Sequence, residues 1–327
     1  MESLPPLGRN IQDIAGPTFA AYEPLLRANA SKIRSVPKVT FSYGDHERQK
    51  LDMYYATNTP HDEKRHTVLV FAYGGGLVVG DRTLQVADGL VHANVAAFFT
   101  EQYGYSVVVM DYRRVPDGAK FPSGGEDVAK VVEFLVEEQH DIFTVPVDLF
   151  IMGNSAGGIH LSTFLLHEDF AATRRKVVFD GEEGVALRGV VMLSIPFHFA
   201  RAEERRLEVL REYFGDWEKF CPLALLKSVQ SSDQSVAFLE AGVRVMVLNG
   251  ELDPADEILQ PREDFLQAWE QFGDEMYVKA LEMDMMKGHN HLSPVVALGT
   301  GVSREEAWGH QVGGFCEGVL ESSRSTA

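Results

Sequence analysis

Ser155 occupies the centre of the pentapeptide Gly-Asn-Ser-Ala-Gly at 153–157, which follows an apolar run and precedes an apolar helical stretch. At a sharp strand-to-helix turn the serine backbone is strained, its hydroxyl projects above the sheet, and only residues without bulk fit beside it. Because this context suits a nucleophile, we predict that Ser155 attacks a carbonyl carbon. The alternative is a plain glycine-rich turn, since the pentapeptide alone is a weak signal.

A serine nucleophile needs a base and an acid that orients the base, and later residues supply both types. Asp253 lies three residues after Gly250, just beyond the apolar run 243–250. A carboxylate at the carboxyl end of a strand is predicted at the same sheet edge as Ser155. We therefore assign the acid to Asp253, with an Asp-Pro turn residue as the alternative.

Two histidines, His289 and His291, follow this acid, and serine, acid, histidine is one of the chain orders known for such triads. Ser293 and Pro294 predict the start of a helix, which leaves His291 in the loop just before it. One of the two histidines is therefore the predicted base, and the other is a loop residue.

Negative charge that develops on an attacked carbonyl oxygen requires hydrogen-bond donors. A run of three glycines at 74–76 follows the apolar run 67–73, and bare backbone can approach a substrate closely. We predict that the N–H groups of Gly75, Gly76 and Ala156 form an oxyanion hole. A phosphate-binding loop is the alternative, but no Gly-Lys-Ser/Thr sequence follows these glycines.

Six short apolar runs must position these groups, with helical patterns such as 126–139 and 261–273 between them. Unbroken apolar runs are typical of strands buried on both faces of a parallel sheet. The alternation predicts a single α/β domain over 1–327 with a mostly parallel, doubly wound sheet, and a hairpin at 38–56. The six runs are 67–73, 106–112, 148–154, 189–195, 243–250 and 276–283.

Two segments, about 1–37 and 197–240, do not fit this alternation. We predict that both form a helical cap over the carboxyl edge of the sheet, where ligands bind in this architecture. An extra packed layer with no part in binding is the alternative. Five aromatic residues of the insertion are candidates to line an acyl or aromatic pocket, or else to fasten the cap to the core: Phe197, Phe199, Tyr213, Phe214 and Trp217.

The composition narrows the class of partner. A net charge of −18 disfavours nucleic acid and anionic membrane surfaces. Neither a signal-peptide pattern nor a membrane-length apolar run is present, which predicts a cytoplasmic protein. Cys221 and Cys316 match neither a disulfide framework nor a metal site, so we expect two reduced packing thiols. We expect a small-molecule ester substrate, no metal or organic cofactor, no nucleic acid and no membrane span, and a homodimer stays open.

Assembled in this order, the motifs resemble those of the hormone-sensitive-lipase-like esterases of the α/β-hydrolase fold, over about residues 65–300. The segment DYRRVPDGAKFP, which starts at 111, is similar to that group's DYRLAP motif, and GELDPADE at 250–257 resembles its acid loop. The elbow is also similar to that of kynurenine-formamidase-like hydrolases, where GxSAG is followed by His-Leu. In the related enzymes an apolar residue commonly follows the base, which favours His291, followed by Leu292, over His289.

Two departures from the family pattern concern residues beside the nucleophile. Tyr73 replaces the histidine of the usual HGGG motif, so the side chain that braces the glycine loop differs while the backbone donors remain. Asn154 replaces the usual aspartate of the elbow, which removes a charge next to Ser155. Neither change removes a catalytic group.

The resemblance and the residues together predict a serine hydrolase of carboxylic esters with Ser155, Asp253 and His291 as its triad. Three alternatives stay open. An amide or formamide hydrolase would use the same triad, and a lactone or biosynthetic-product hydrolase would differ in the cap. The third alternative is a ligand receptor of the same fold, as in the gibberellin receptors, although a complete triad argues against it.

Overall fold

The computed structural model describes residues 2–56, 64–178, 183–231 and 237–326. Within these ranges the chain forms one eight-stranded sheet with helices packed around it. The strands are β1 (Lys38–Ser42), β2 (Lys50–Tyr54), β3 (His66–Ala72), β4 (Ser106–Met110), β5 (Val147–Asn154), β6 (Val185–Leu193), β7 (Arg244–Leu252) and β8 (Leu281–Asn290). The helices are α1 (Ile11–Ala28), α2 (Ala30–Arg34), α3 (Leu90–Tyr103), α4 (Ser123–Ile142), α5 (Ala156–Leu166), α6 (Ala171–Val178), α7 (Glu204–Phe214), α8 (Trp217–Phe220), α9 (Pro222–Ser231), α10 (Ala237–Glu240), α11 (Gln260–Glu270), α12 (Glu275–Lys279), α13 (Pro294–Ala297) and α14 (Ser303–Thr326).

The strands follow the order β1-β2-β4-β3-β5-β6-β7-β8. Strand β1 pairs antiparallel with β2 and β2 with β4, whereas all neighbours from β4 to β8 are parallel. The chain moves one way across the sheet from β3 to β4 and the other way from β4 to β8. Because parallel crossovers are right-handed, this reversal puts helices on both faces. The predicted hairpin and the mostly parallel, doubly wound sheet are confirmed.

The centre of the sheet is the core of the domain. Every residue of β3, β4 and β5 is buried, and so is every residue of α5. Burial on both faces explains why these strands are unbroken apolar runs in the sequence. The turn between β5 and α5 is therefore held by two elements that cannot shift without disturbing the core.

The residues with predicted chemistry follow the carboxyl ends of four parallel strands. The glycine loop follows β3, Ser155 follows β5, Asp253 follows β7 and His291 follows β8. The register of the parallel pairs keeps these ends together at one edge. Strands β3 and β5 are also where the direction of winding reverses, which is the place where ligands bind in open α/β sheets.

The predicted strand at 276–283 is wrong in its position. The first half of this run, 276–279, lies in the short helix α12, and β8 begins only at Leu281 and extends to Asn290. The side chain of Asp274 caps the helix by accepting a hydrogen bond from the N–H of Met276 at 2.8 Å. Met276 and Val278 are 45% and 41% exposed, so the run lacks the burial that its apolar residues suggested.

The two predicted cap segments are mostly helical. Helix α1 packs against α3 and α13 near the carboxyl edge, and α9 packs against α5 and α11. Leu239 and Glu240 lie elsewhere, since they line a cavity of about 1290 Å³ with Arg65 and Arg244 at the amino ends of β3 and β7. The end of the insertion is thus at the edge opposite Ser155, and a cap formed by the rest stays a prediction.

No helix in the described ranges combines the length and apolar character needed to cross a bilayer. Cys221 and Cys316 are both buried and free, and burial raises the pKa of each thiol. This burial favours packing over reactivity for both.

Candidate active site

Ser155 sits in the strained turn that its sequence predicted. Its φ is +49°, in the region that disfavours side chains, and its N–H bonds to the carbonyl of Leu193 on β6 at 2.9 Å. A Cβ at Gly153 would lie 2.6 Å from the Cα of Gly158, and one at Gly157 would lie 2.1 Å from a β3 carbonyl oxygen. Strand and helix cross so closely that these positions require glycine.

A chain of hydrogen bonds runs from Ser155 through His291 to Asp253. Nε2 of His291 lies 3.0 Å from Oγ of Ser155, and Nδ1 lies 2.9 Å from Oδ1 of Asp253. The imidazole and the carboxylate are buried, while Ser155 is partly exposed. An ionised carboxylate only accepts hydrogen bonds, so Nδ1 carries the proton and the lone pair of Nε2 faces the serine hydroxyl.

The carboxylate of Asp253 is held on both of its oxygens. Oδ2 accepts from the N–H of Gly250 and from the hydroxyl of Ser194, each at 2.7 Å. Arg9 also donates from Nη1 to the main-chain oxygen of Asp253 at 2.8 Å. Sequence analysis missed Ser194 and Arg9, because Ser194 lies inside the apolar run 189–195 and neither residue belongs to a motif.

His289 forms hydrogen bonds that hold the loop and does not bond to Ser155. It is fully buried, its Nε2–H donates to the carbonyl of Glu305 at 3.1 Å, and its Nδ1 accepts from the hydroxyl of Ser293 at 2.9 Å. Burial lowers its pKa to about 4. Since both ring nitrogens are engaged and the ring stays neutral, His289 is not free to take a proton from Ser155.

His289→Gln is expected to reduce the acid sensitivity of the fold. The pKa of His289 is about 4 in the folded chain against about 6.5 for an ordinary imidazole, so the unfolded chain binds this proton first as the pH falls. The neutral ring therefore lowers the free energy of unfolding only below about pH 6.5. This loss of free energy reaches roughly 2 kcal/mol at about pH 5. Glutamine does not titrate. Between about pH 7.5 and pH 5, the free energy of unfolding measured with urea should therefore drop by roughly 2 kcal/mol less in His289→Gln than in the wild type.

The same substitution at exposed His140 is the control for this experiment. It should leave the wild-type pH dependence in place. A pH dependence of His289→Gln that equals that of wild type would contradict the buried, neutral state of His289.

Asn290, between the two histidines, shapes the loop that presents His291. Its Oδ1 accepts from the N–H groups of Leu292 and Ser293 at 3.1 and 2.9 Å, and its Nδ2 donates to Oγ of Thr18 on α1 at 2.9 Å. Helix α13 starts at Pro294 as predicted, but the Ser293 hydroxyl bonds to the loop and does not cap the helix. The N-terminal helix thus contacts the residue next to the predicted base.

The glycine loop after β3 passes directly beside Ser155. A Cβ at Gly74 would lie 3.1 Å from the Cβ of Ser155, and one at Gly75 would lie 2.0 Å from the carbonyl oxygen of Val79. Within the described ranges, no group accepts a hydrogen bond from the N–H of Gly75, Gly76 or Ala156. These three donors are available to a ligand, and their assignment to an oxyanion hole stays a prediction.

Tyr73 braces this loop in place of the histidine of the related enzymes. Its hydroxyl donates to the carboxylate of Asp111 and accepts from Nη2 of Arg48 at 2.8 Å. Its ring stacks on His92 with 4.8 Å between centroids and 10° between planes, and its carbonyl accepts from the hydroxyl of Tyr112 at 2.9 Å. Both Asp111 and Tyr112 belong to the DYR segment, so that motif anchors the loop.

The five aromatic residues proposed for a substrate pocket form packing contacts in the insertion. Phe197 stacks on Phe265 of α11 with centroids 4.0 Å apart, and the Tyr213 hydroxyl accepts from the N–H of Gly124 at 3.1 Å. Phe199 contacts Phe214 and Trp217. All but Trp217 are buried, which favours the alternative that they fasten the insertion to the core. A role for any of them in substrate binding stays a prediction.

Comparison with protein families finds a match between residues 51–203 and the BD-FAE family. The matched segment is slightly less than half of the chain. It contains the glycine loop and Ser155 but ends before Asp253 and His291. No curated protein sequence matches the chain.

Several solved structures share the fold. One is esterase B from Lactobacillus rhamnosis, whose structure contains a tributyrin phosphonate inhibitor. It superimposes with a TM-score of 0.63 at 14% sequence identity, and the alignment covers 97% of this chain and 99% of the esterase. A Rhizomucor miehei esterase gives 0.58 at 16% identity, with 95% and 93% covered. The esterase of the archaeon Pyrobaculum calidifontis gives 0.56 at 16%, with 91% and 92% covered. At these identities the likeness concerns the fold alone.

Proposed function

We propose that this chain, which has the α/β-hydrolase fold, is a serine hydrolase that acts on carboxylic esters. The observation that carries the proposal is the chain of hydrogen bonds from Ser155 through His291 to Asp253, at 3.0 and 2.9 Å. A partly exposed hydroxyl, an imidazole and a buried carboxylate in this order are the groups that nucleophilic acyl transfer needs. The esterases of the same fold support the choice of esters over other acyl compounds.

The proposal gives each group of the triad a step in the reaction. Oγ of Ser155 attacks the ester carbonyl carbon while its proton moves to Nε2 of His291. The tetrahedral intermediate then expels the alcohol, whose oxygen takes that proton. A water molecule gives a proton to Nε2 and attacks the acyl group, and Ser155 recovers the proton as the carboxylic acid leaves. Throughout, Asp253 keeps Nδ1 protonated and stabilises the imidazolium.

The N–H groups of Gly75, Gly76 and Ala156 would bind the oxyanion in both half-reactions. Each such donor contributes on the order of 3 kcal/mol to transition-state stabilisation when it is held in place. Their rigidity matters because a donor that must reorient loses most of this effect. The anchoring of the loop through Tyr73 therefore bears directly on the rate.

Tyr73→Phe is expected to lower kcat roughly 10-fold while KM changes little. The phenyl ring keeps its stacking on His92, but Asp111 and Arg48 lose the hydroxyl that ties them to the loop. The loop donors then spend less time in the productive geometry. Steady-state kinetics with p-nitrophenyl acetate measure both constants.

Tyr105→Phe is the matched control. Tyr105 lies just before β4 and is a buried tyrosine, and its hydroxyl donates to the carboxylate of Glu317 on α14. This variant should lose comparable stability and keep the wild-type kcat. Equal values of kcat in the two variants would contradict a role for the Tyr73 hydroxyl in catalysis.

The substrate class is tested by comparing kcat/KM of the wild-type protein for p-nitrophenyl acetate, an aryl formamide and a simple lactone. The proposal predicts the highest value for the ester. A higher value for the formamide would replace esters by amides with the same triad. Folded protein that turns over none of the three would contradict the proposal and favour a ligand receptor.

A further inference from the structure

We infer that Ser194 is a positioning residue for the acid of the triad, which it ties to the strand beside the nucleophile. The inference rests on the proposed function. Ser194 directly follows β6, is fully buried, and donates from Oγ to Oδ2 of Asp253 at 2.7 Å. Its hydroxyl bonds to the acid and not to the nucleophile in the hydrogen bonds of the described residues, so we expect its effect on the reaction to pass through Asp253.

The two donors to Oδ2 differ in what they connect. Gly250 belongs to β7, the strand that leads to Asp253 only three residues later, so this donor is close to the acid in sequence. Ser194 directly follows β6, the neighbouring strand, and so ties the carboxylate to a second strand of the sheet. Its main-chain N–H is itself bound to the carbonyl of Leu248 on β7 at 2.8 Å.

The carboxyl end of β6 lies between the proposed nucleophile, Ser155, and the proposed acid, Asp253, and bonds to both. The carbonyl of Leu193 accepts from the N–H of Ser155 at 2.9 Å and from Nδ2 of Asn154 at 3.3 Å. The next residue, Ser194, holds the carboxylate of Asp253. Two successive residues, the last of β6 and the one that follows it, thus bond to the nucleophile and to the acid, and His291 bridges the two groups.

The strained backbone conformation of Ser194 suggests that its hydroxyl has a function. Its φ is +48°, a conformation that glycine adopts freely and other residues adopt at a cost. Glycine would relieve this strain but would leave Oδ2 of Asp253 with Gly250 as its one remaining donor among the residues bonded to it here. Backbone strain that persists beside a reactive group is a reason to test for function.

The test compares Ser194→Ala with Ser194→Gly, since both lose the hydroxyl and only glycine relieves the strain. We expect kcat for p-nitrophenyl acetate to fall roughly 10- to 100-fold in both variants, with KM within about threefold of wild type. Urea unfolding should show Ser194→Gly to be more stable than Ser194→Ala. Activity would then follow the hydroxyl while stability follows the backbone.

Two results would overturn the inference. One is a wild-type kcat in Ser194→Gly, which would mean that only the stability of the turn matters. The other is a rise in KM that accounts for the loss, which would indicate a disturbed binding site. A wild-type protein that does not hydrolyse the ester overturns the proposed function and this inference together, whereas active wild type with equally active variants overturns this inference alone.

Discussion

Ser155→Ala is expected to lower kcat for p-nitrophenyl acetate by roughly 10⁴- to 10⁶-fold, because it removes the attacking oxygen, which is the group bonded to Nε2 of His291. The hydroxyl is partly exposed, so its loss should change the free energy of unfolding by less than about 1 kcal/mol. Residual hydrolysis and urea unfolding measure the two quantities.

Ser162→Ala is the control for this substitution. Ser162 lies seven residues further along, on helix α5, which begins directly after Ser155, and its buried hydroxyl bonds to the carbonyl of Gly158 at 2.8 Å. The variant makes the same chemical change at a more deeply buried position and should keep wild-type activity. Substantial esterase activity in Ser155→Ala would refute the mechanism, whatever Ser162→Ala does.

His291→Ala is expected to lower kcat by several orders of magnitude, roughly 10⁴- to 10⁶-fold, with a smaller change in KM. The variant loses the group that takes the serine proton and leaves the buried carboxylate of Asp253 without its imidazole partner. Steady-state kinetics and unfolding together separate the loss of the base from a loss of folded protein.

His289→Ala is the variant to compare with His291→Ala, because it tests which of the two histidines is the base. This histidine bonds to Ser293 and to the carbonyl of Glu305, so its loss should destabilise the loop by about 2 kcal/mol and lower kcat far less than the loss of His291. If the larger loss of kcat fell on His289→Ala, the assignment of the base would be wrong while Ser155 and Asp253 kept their roles.

The sheet could be predicted from the sequence because its strands are buried on both faces. Such strands are unbroken apolar runs, and five of the six predicted runs overlap β3 to β7. The sixth overlaps β8 only at 281–283, since β8 is an edge strand where Glu282, Met283 and Asp284 are exposed and the apolar pattern is lost. The apolar run before it was a capped helix, a local signal that periodicity alone does not carry.

The site was predictable in its principal residues for a different reason. A strained elbow requires glycines at fixed spacing, and the ends of parallel strands meet at one edge, so short motifs located Ser155 and Asp253. The structure brings both together with His291, and their catalytic roles stay predictions. The choice of His291 over His289 followed from the apolar Leu292 after it, as in the esterases that the motifs resemble, together with the helix start at Pro294, which the structure confirms.

Contacts between distant parts of the chain were beyond the reach of the sequence. Ser194 lies 59 residues before Asp253, and Thr18 lies 272 residues before Asn290, yet both pairs are hydrogen-bonded. Neither serine nor threonine at such positions carries a motif. The brace around Tyr73 was missed likewise, because Tyr73 meets Asp111 only when β3 pairs with β4, and Arg48 joins them only when β2 pairs with β4.

The most direct test of the account is the reaction of the wild-type protein with an alkyl p-nitrophenyl phosphonate, followed by mass spectrometry of its peptides. We expect one phosphonyl group per chain, located on Ser155, with loss of ester hydrolysis in proportion to labelling. Ser155→Ala should stay unlabelled. Folded protein that hydrolyses the ester but carries no adduct on Ser155 would contradict the central claim that this serine is the nucleophile.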